Sequence, residues 1–380
     1  MDIKVKELRQ LIKDHGIVGA GGAGFPTYRK IDSRAETIIL NCAECEPLLT
    51  LDQQLLARYA REILSALWKL AEVLKATPIV AIKKCYVETL SAVEAVLSDY
   101  PGMTIVLLED MYPAGDEVLL IHEAIGVVVP PGTFPIELGC IVLNVETVYN
   151  IYAAMELDQP VTRKWVTIAG EVERPATVRV RVGTSISEAL KEAGVGEITT
   201  ADPVFIVGGP MMGRAVSHSY EIKKTTNAVI VLPKDHILAR QGRSNPVVDI
   251  NRAASACCQC RTCTEMCPRY LMGYPIEPHK VMRALAARDA SSDAFSGVMY
   301  CSLCGLCEKV ACPQSLRPRA LIKTFKALLA EGGIKAEKSD AQLPVAHERA
   351  YRRIDIDRLK RRLGLAKYDL GAPMRLGDIK

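Results

Sequence analysis

The 380-residue chain is short of aromatic residues, with two Trp and five Phe and a total aromatic share of 5%. It also lacks any uninterrupted apolar run near the roughly 18 residues that a membrane-spanning helix needs, which excludes such a span. Its first residues, MDIKVKELRQLIKDHG, carry charges through the apolar positions and do not have the form of a secretory leader. Net charge is low, +4 at pH 7, too little over this length for a nucleic-acid footprint. Histidine is scarce as well: there are six, and none lies in an H-E-x-x-H pattern. The low-hydrophobicity, high-charge signature of disorder is absent, since 49% of residues are hydrophobic. What the chain has in excess is cysteine, 13 residues of it. Without a leader, such a count points to a reducing, cytoplasmic setting and to metal rather than disulfides.

The cysteines are unevenly spread. Cys42, Cys45, Cys85 and Cys140 are scattered, whereas nine fall between Cys257 and Cys312 in two blocks. The first, Cys257-Cys258-Gln-Cys260-Arg-Thr-Cys263-Thr-Glu-Met-Cys267-Pro268, is a C-x2-C-x2-C-x3-C-P run with one extra cysteine. The second, Cys301-Ser-Leu-Cys304-Gly-Leu-Cys307-Glu-Lys-Val-Ala-Cys312-Pro313, repeats the pattern 44 residues on with one residue inserted before its last cysteine. Three thiolates at this spacing wrap three irons of a cubane, and the fourth iron takes a cysteine from the other run. The spacing therefore assigns one [4Fe–4S] cluster to Cys257, Cys260, Cys263 and Cys312, and another to Cys301, Cys304, Cys307 and Cys267. Spacing selects Cys257 over Cys258 without deciding the matter. Paired zinc knuckles are the alternative, but they favour C-x2-C pairs with a long gap. The helical spacing of PHKVMRALAARD between the runs predicts a compact helical domain over 247–330.

Near the N-terminus, Gly19-Ala20-Gly21-Gly22-Ala23-Gly24-Phe25-Pro26 formally matches G-x-G-x-x-G. A dinucleotide fingerprint needs a strand before the loop. Here a helical pattern ending at Gly16 precedes it, so that reading fails and a glycine cradle for a phosphate or flat ring competes with a plain surface loop. Three predicted strands end in polar turns: Thr37–Leu40 before Asn41-Cys42-Ala43-Glu44-Cys45-Glu46-Pro47, Met103–Leu108 before Tyr112-Pro113-Ala114-Gly115-Asp116-Glu117, and Cys140–Leu143 before Asn144-Val145-Glu146. Together they suggest one cleft at the carboxyl edge of a sheet. A helix cap or first-turn carboxylate is the plainer reading for Asp116 and Glu146.

Farther on, Lys164–Ala169 and Thr177–Val182 alternate as half-exposed strands, Ser185 or Ser187 caps a helix, and strands recur at Pro203–Val207 and Ala228–Leu232 around Gly208-Gly209-Pro210-Met211-Met212-Gly213. This reads as a small α+β sheet. The segment 349–367 has eight basic residues against two acids, Asp355 and Asp357, and reads as a basic helical tail over 331–380, solvated or docked on an acidic partner.

The runs GIVGAGGAGFP, AECEPLLTLDQQL, YPAGDEVL, NVETV, GGPMMG and KTTNAVIVLPKDH, with both cysteine blocks, resemble the superfamily of the NADH-oxidising flavoprotein subunit of respiratory complex I. They are more similar to the RnfC-type members of electron-transport complexes, and most similar to the cobalamin reductases of propanediol utilisation. The resemblance implies a multidomain α/β and α+β fold: an FMN/NADH domain over 1–158, a β-grasp (SLBB) domain over 159–240, and a two-[4Fe–4S] ferredoxin-like domain over 247–330. It implies FMN near Gly19, Gly21, Gly22, Gly24, Asn41, Glu44, Glu46, Gly115, Asp116 and Asn144, with NADH near Phe25 and Glu117 and Phe134 as a second ring. It further implies an NADH-dependent oxidoreductase that reduces cobalamin, or one that exchanges electrons between NADH and ferredoxin or a membrane partner. A cobalamin adenosyltransferase, a flavodoxin or microcompartment shell proteins are the partners it suggests. Whether the β-grasp part binds cobalamin or only spaces flavin from clusters stays open. The family arginine of the glycine loop is Ala20 here, and longer members carry a further C-terminal domain that this sequence does not contain.

Overall fold

The structure, a computed structural model, describes residues 3–241, 245–289, 293–339, 344–346, 352–370 and 375–378. Its first sheet holds four parallel strands in the order β3-β2-β1-β5: β1 is Thr37–Cys42, β2 Thr77–Lys83, β3 Thr104–Leu108 and β5 Cys140–Asn144. Between them in sequence lies the two-residue strand β4, Met111–Tyr112. Side-chain alternation sends Ile38, Leu40, Val80, Ile82, Ile141 and Leu143 to one face, against the helices Leu51–Arg58, Ala60–Leu74 and Val145–Leu157. It sends Ile39, Ala81 and Val142 to the other face, against the helix Glu117–Ile125. Both faces are covered, as a parallel sheet requires. The register makes Asn41 and Asn144 neighbours across β1 and β5, so the two polar strand ends named from sequence form one edge.

The second sheet is mixed, in the order β12-β7-β6-β10-β8-β9, with β6 Arg163–Gly170, β7 Ala176–Arg181, β8 Pro203–Val207, β9 Arg214–Val216, β10 Ala228–Pro233 and β12 Arg375–Asp378. Ser185 and Glu188 form a reciprocal capping box that starts the helix Ile186–Glu192. One face of the sheet closes its own core through Val166, Val178 and Val229. The other face, through Ala169, Ile206 and Ile230, packs on Leu306 and Val310 beside the second cysteine block. The helices Pro246–Ala256, Pro278–Ala287 and Pro318–Glu331 enclose a third body around Val281, Leu285 and Leu321.

The C-terminal segment departs from the helical tail expected. Residues 349–351 lie outside the described residues. Among the described residues beyond them, Ile356–Arg362 is the one helix longer than a single turn. β11, Ile354–Asp355, pairs antiparallel with β4, and β12 runs parallel to β7. The cause is charge and shape together. Arg353 pairs with Glu123, Arg352 with Glu265 at 2.6 Å, and Lys360 with Asp369 at 2.6 Å, while Leu359 and Leu363 are buried. The basic residues hold the segment against its own chain. Among the described residues no helix is long and apolar enough to cross a membrane.

Candidate functional site

The glycine loop, which follows the helix Ile3–Asp14 and not a strand, folds over the carboxyl ends of β1 and β5. The Ala20 N–H donates to Thr147 Oγ1 at 3.0 Å, which ties the loop to the helix Val145–Leu157. Beneath it opens a cleft of about 190 Å³ whose walls include Gly19, Gly21, Phe25, Lys30, Asn41, Glu117 and Asn144. A Cβ added at Gly21 would stand 3.5 Å from Asn144 Cβ, an ordinary contact distance, which puts the loop directly over the asparagine. Phe25 is partly exposed at the mouth, and the Lys30 ammonium bridges Glu117 at 2.7 Å and the Val142 carbonyl at 3.0 Å. Thr27 Oγ1 is buried in the same wall with no hydrogen-bond partner among the described residues. Such an orphaned hydroxyl, beside a backbone cradle, two amides and a cation, fits a phosphate-bearing ring system. Thr147 lies within the NVETV run and Thr27 just after GIVGAGGAGFP, yet neither side chain is singled out by sequence, and only the fold brings both to the cleft.

Several residues expected around the flavin face elsewhere. The Glu46 carboxylate turns out of the cleft and accepts the N–H groups of Met211 and Met212, each at 2.7 Å, because the Gly209 turn packs directly on it. Asp116 caps the helix Glu117–Ile125, accepting from the Val118 and Leu119 N–H groups, and its other oxygen pairs with Arg269 at 2.9 Å. Gly115 is a close-approach glycine: a Cβ there would lie 2.4 Å from the Ala43 carbonyl, and its N–H donates to Cys45 Sγ at 2.8 Å. Gly24, at φ 66°, faces Thr225, and Gly22 opens to free space at φ 114°. Phe134 is exposed on a surface turn. Glu146 is buried in an ion pair with Lys164.

Glu44 sits one layer behind the cleft. Its carboxylate accepts the Asp52 N–H at 3.1 Å, and Asp52 in turn accepts from Asn144 Nδ2 at 2.7 Å. Burial, then the neighbouring Asp52, pushes the Glu44 carboxyl well above the usual range, and burial lifts Asp52 to about 7. Asn144 thus presents an amide fixed on two sides, by Asp52 and by the cap it offers the Glu146 N–H at 3.1 Å.

The structure brings the cysteines of each crossed set near one another. Cys257, Cys260, Cys263 and Cys312 line one small cavity, joined by Cys258. Burial and then the thiols of Cys312, Cys257 and Cys260 push Cys263 up to about 12. Burial, then Cys301, Cys304 and Cys267, act in the same way on Cys307. Left-handed backbone at Gln259, Arg261, Leu303 and Ser315 curls the loops, and N–H groups of Leu303 and Leu316 donate to Cys301 and Cys312 sulfurs at 3.3 Å. Curled loops that aim amides at sulfur are what thiolate-ligated clusters need. Among the described residues no three such side chains gather on the point of a single metal ion.

One loop joins the two sites. Tyr112-Pro113-Ala114-Gly115-Asp116-Glu117 puts Glu117 in the cleft wall, while Tyr112 Oη donates to the Cys304 carbonyl at 2.6 Å and Asp116 holds Arg269, two residues after Cys267.

Comparison with known proteins gives these sites their chemistry. Residues 12–153 match the Nuo51 FMN-binding domain, 165–215 the SLBB domain and 256–317 a 4Fe-4S dicluster domain. The cobalamin reductase PduS of Citrobacter freundii is 38% identical over 98% of this chain and 82% of that protein. PduS of Salmonella typhimurium is 37% identical over the same shares. A component of the ion-translocating oxidoreductase complex of Vibrio cholerae is 33% identical over 72% of this chain and 34% of that component. In fold, the chain is similar to the air-oxidised NAD+-reducing [NiFe]-hydrogenase, with a TM-score of 0.54 at 19% identity, covering 96% of this chain and 66% of that one. The chain is an oxidoreductase with an FMN-binding domain and a 4Fe-4S dicluster domain.

Proposed function

The chain belongs to the family of the PduS cobalamin reductases, and from that premise we propose that it takes reducing equivalents from NADH and delivers them to cobalamin. When bound, FMN supplies hydride acceptance as an electron pair with release of single electrons, and the clusters supply one-electron carriage. The chain's own residues do the placing. The loop at Gly19 and Gly21 offers backbone to the flavin phosphate and ring, and Asn41 and Asn144 form the floor. Phe25 offers a ring to the nicotinamide at the mouth, and Lys30 holds Glu117 there. Two crossed sets of four cysteines would hold the clusters.

The observation that carries the reading is the shared loop: a single turn walls the cleft through Glu117 and grips the cluster loops through Tyr112 and Asp116. Rigid coupling of donor and acceptor sites is what electron transfer between bound cofactors asks of a protein. A reduced cobalt would then pass to a cobalamin adenosyltransferase, in a microcompartment where the relatives' pathway is so housed. The second reading, exchange of electrons with ferredoxin or a membrane partner, draws on the 33% identity to the Vibrio cholerae component. Parallel anaerobic assays of NADH-driven reduction, one with cob(III)alamin and one with ferredoxin, separate the two. The cobalamin reading expects faster reduction of cobalt; reduction of ferredoxin alone overturns it.

A further inference from the structure

A cavity of about 590 Å³, larger than the flavin cleft, lies between the second sheet and the cluster domain. Apolar side chains of Ile206, Leu238 and Ala327 form part of its wall. Five cations, Arg214, Lys309, Arg317, Arg319 and Lys323, face two acids, Glu308 and Glu331. Some of this charge has local work. Lys309 Nζ donates to the Pro210 carbonyl, Arg319 Nε to the Leu303 carbonyl at 2.8 Å, and Arg317 stands 3.9 Å from Glu308 and Asp249. These contacts brace the second cysteine block. Arg214 on β9 and Lys323 on the helix Pro318–Glu331 are different: both are exposed and neither has a carboxylate partner among the described residues, Arg214 lying 5.1 Å over the Tyr220 ring instead. Gln241 Oε1, in the same wall, is buried without a hydrogen-bond partner among the described residues. A cavity with apolar wall, excess cation and an unused buried acceptor fits an organic molecule that carries both an anionic group and a hydrogen-bond donor.

We propose that this interdomain cleft is a binding site for an organic phosphoester. Two sources share that chemistry: the phosphodiester of cobalamin, whose side-chain amides would meet Gln241, and a free nucleotide. The first rests on the acceptor reading above and gives it a location. A ligand here lies beside the cluster loops, since Arg319 bonds Leu303 between Cys301 and Cys304 and Glu308 follows Cys307.

The test uses the full chain loaded with FMN and clusters, and equilibrium dialysis against four probes: hydroxocobalamin, cobinamide (which lacks the phosphodiester), AMP and inorganic phosphate. The variant is R214E/K323E, both at exposed positions, and its iron and flavin contents serve as a check that the sites are intact. If the site takes cobalamin, hydroxocobalamin binds wild type about tenfold or more tightly than it binds the variant, and cobinamide does not distinguish the two proteins. Charge-dependent binding of AMP without cobalamin binding keeps the phosphoester site and removes the acceptor reading. Equal binding of hydroxocobalamin to both proteins removes the site and leaves the acceptor reading standing. If no organic phosphoester binds wild type, or inorganic phosphate alone does, the proposal is overturned.

Discussion

Tyr112 and Cys304, 192 residues apart, meet where the hydroxyl of the first donates to the carbonyl of the second at 2.6 Å. Tyr112 is buried, and its strand β4 leads into the turn that walls the cleft. The bond fixes the position of one cysteine loop relative to that turn. In Y112F the ring packing stays and the Cys304 carbonyl loses its donor, a cost of about 1–2 kcal/mol. The expected result is a lower thermal midpoint and faster loss of iron to a chelator, with flavin content unchanged. Iron loss at the wild-type rate contradicts the role.

Glu46 links the strand-end turn after β1 to the Gly209 turn of the second sheet through two 2.7 Å hydrogen bonds. Met211 is fully buried, so E46A leaves its N–H with no solvent to turn to, whereas the exposed Met212 can bond water instead. A loss of about 1–3 kcal/mol in urea unfolding is expected. E46Q loses less, because an amide oxygen still accepts one of the two. Equal stability of E46A and wild type would show that water replaces the carboxylate.

The Glu44–Asp52 pair has a pH signature. Burial raises Asp52 to about 7 in the folded chain against 3.8 for the ordinary group. Between those values the folded state holds a proton that the unfolded state has released, so stability falls as pH rises from about 4 to 7 and stays reduced above. D52N keeps an acceptor for Asn144 and removes the ionisation. It should flatten the profile and gain stability on the order of a few kcal/mol at pH 8. Unfolding midpoints at pH 5 and pH 8 measure it, and a parallel profile in D52N contradicts it.

Glu171 pins the C-terminal segment to the second sheet. It accepts from Lys367 Nζ and Tyr368 Oη at 2.6 Å and from Thr199 Oγ1 at 2.7 Å. These bonds hold its carboxyl down at about 2, so the link is present above the ordinary carboxylate range and lost as pH falls toward 2. E171Q should speed hydrogen exchange in the helix Ile356–Arg362 at neutral pH, by about fivefold for a loss near 1 kcal/mol. Unchanged exchange means the packing of Leu359 and Leu363 suffices.

Much of the fold is readable because particular residues report their own environment. Ser185 with Glu188 announces a capping box, Gly16 a helix stop, and each cysteine block its partner through spacing. β2 is not legible in this way, although it is central to the first sheet: Thr77–Lys83 is buried on both faces, so it lacks alternation, and it carries no motif. Direction is the harder property. Glu46 and Glu117 both sit in glycine-bearing or acidic turns at strand ends, yet only Glu117 faces the cleft. What turns Glu46 away is the Gly209 turn, 163 residues on, a contact that no local pattern encodes. The charged C-terminal segment misleads for the same reason: its cations find Glu123, Glu265 and Glu171 only after folding.

On the proposed path, electrons run from NADH through the flavin cleft and the two crossed cysteine sets to cobalt. Anaerobic mixing of NADH and hydroxocobalamin with wild type and with C263A, followed by absorbance, tests it most directly. The expected result is that flavin bleaches in both proteins and that cobalt is reduced only by wild type, which carries about eight irons per chain. Flavin that keeps its full colour, or equal cobalt reduction by C263A, contradicts it.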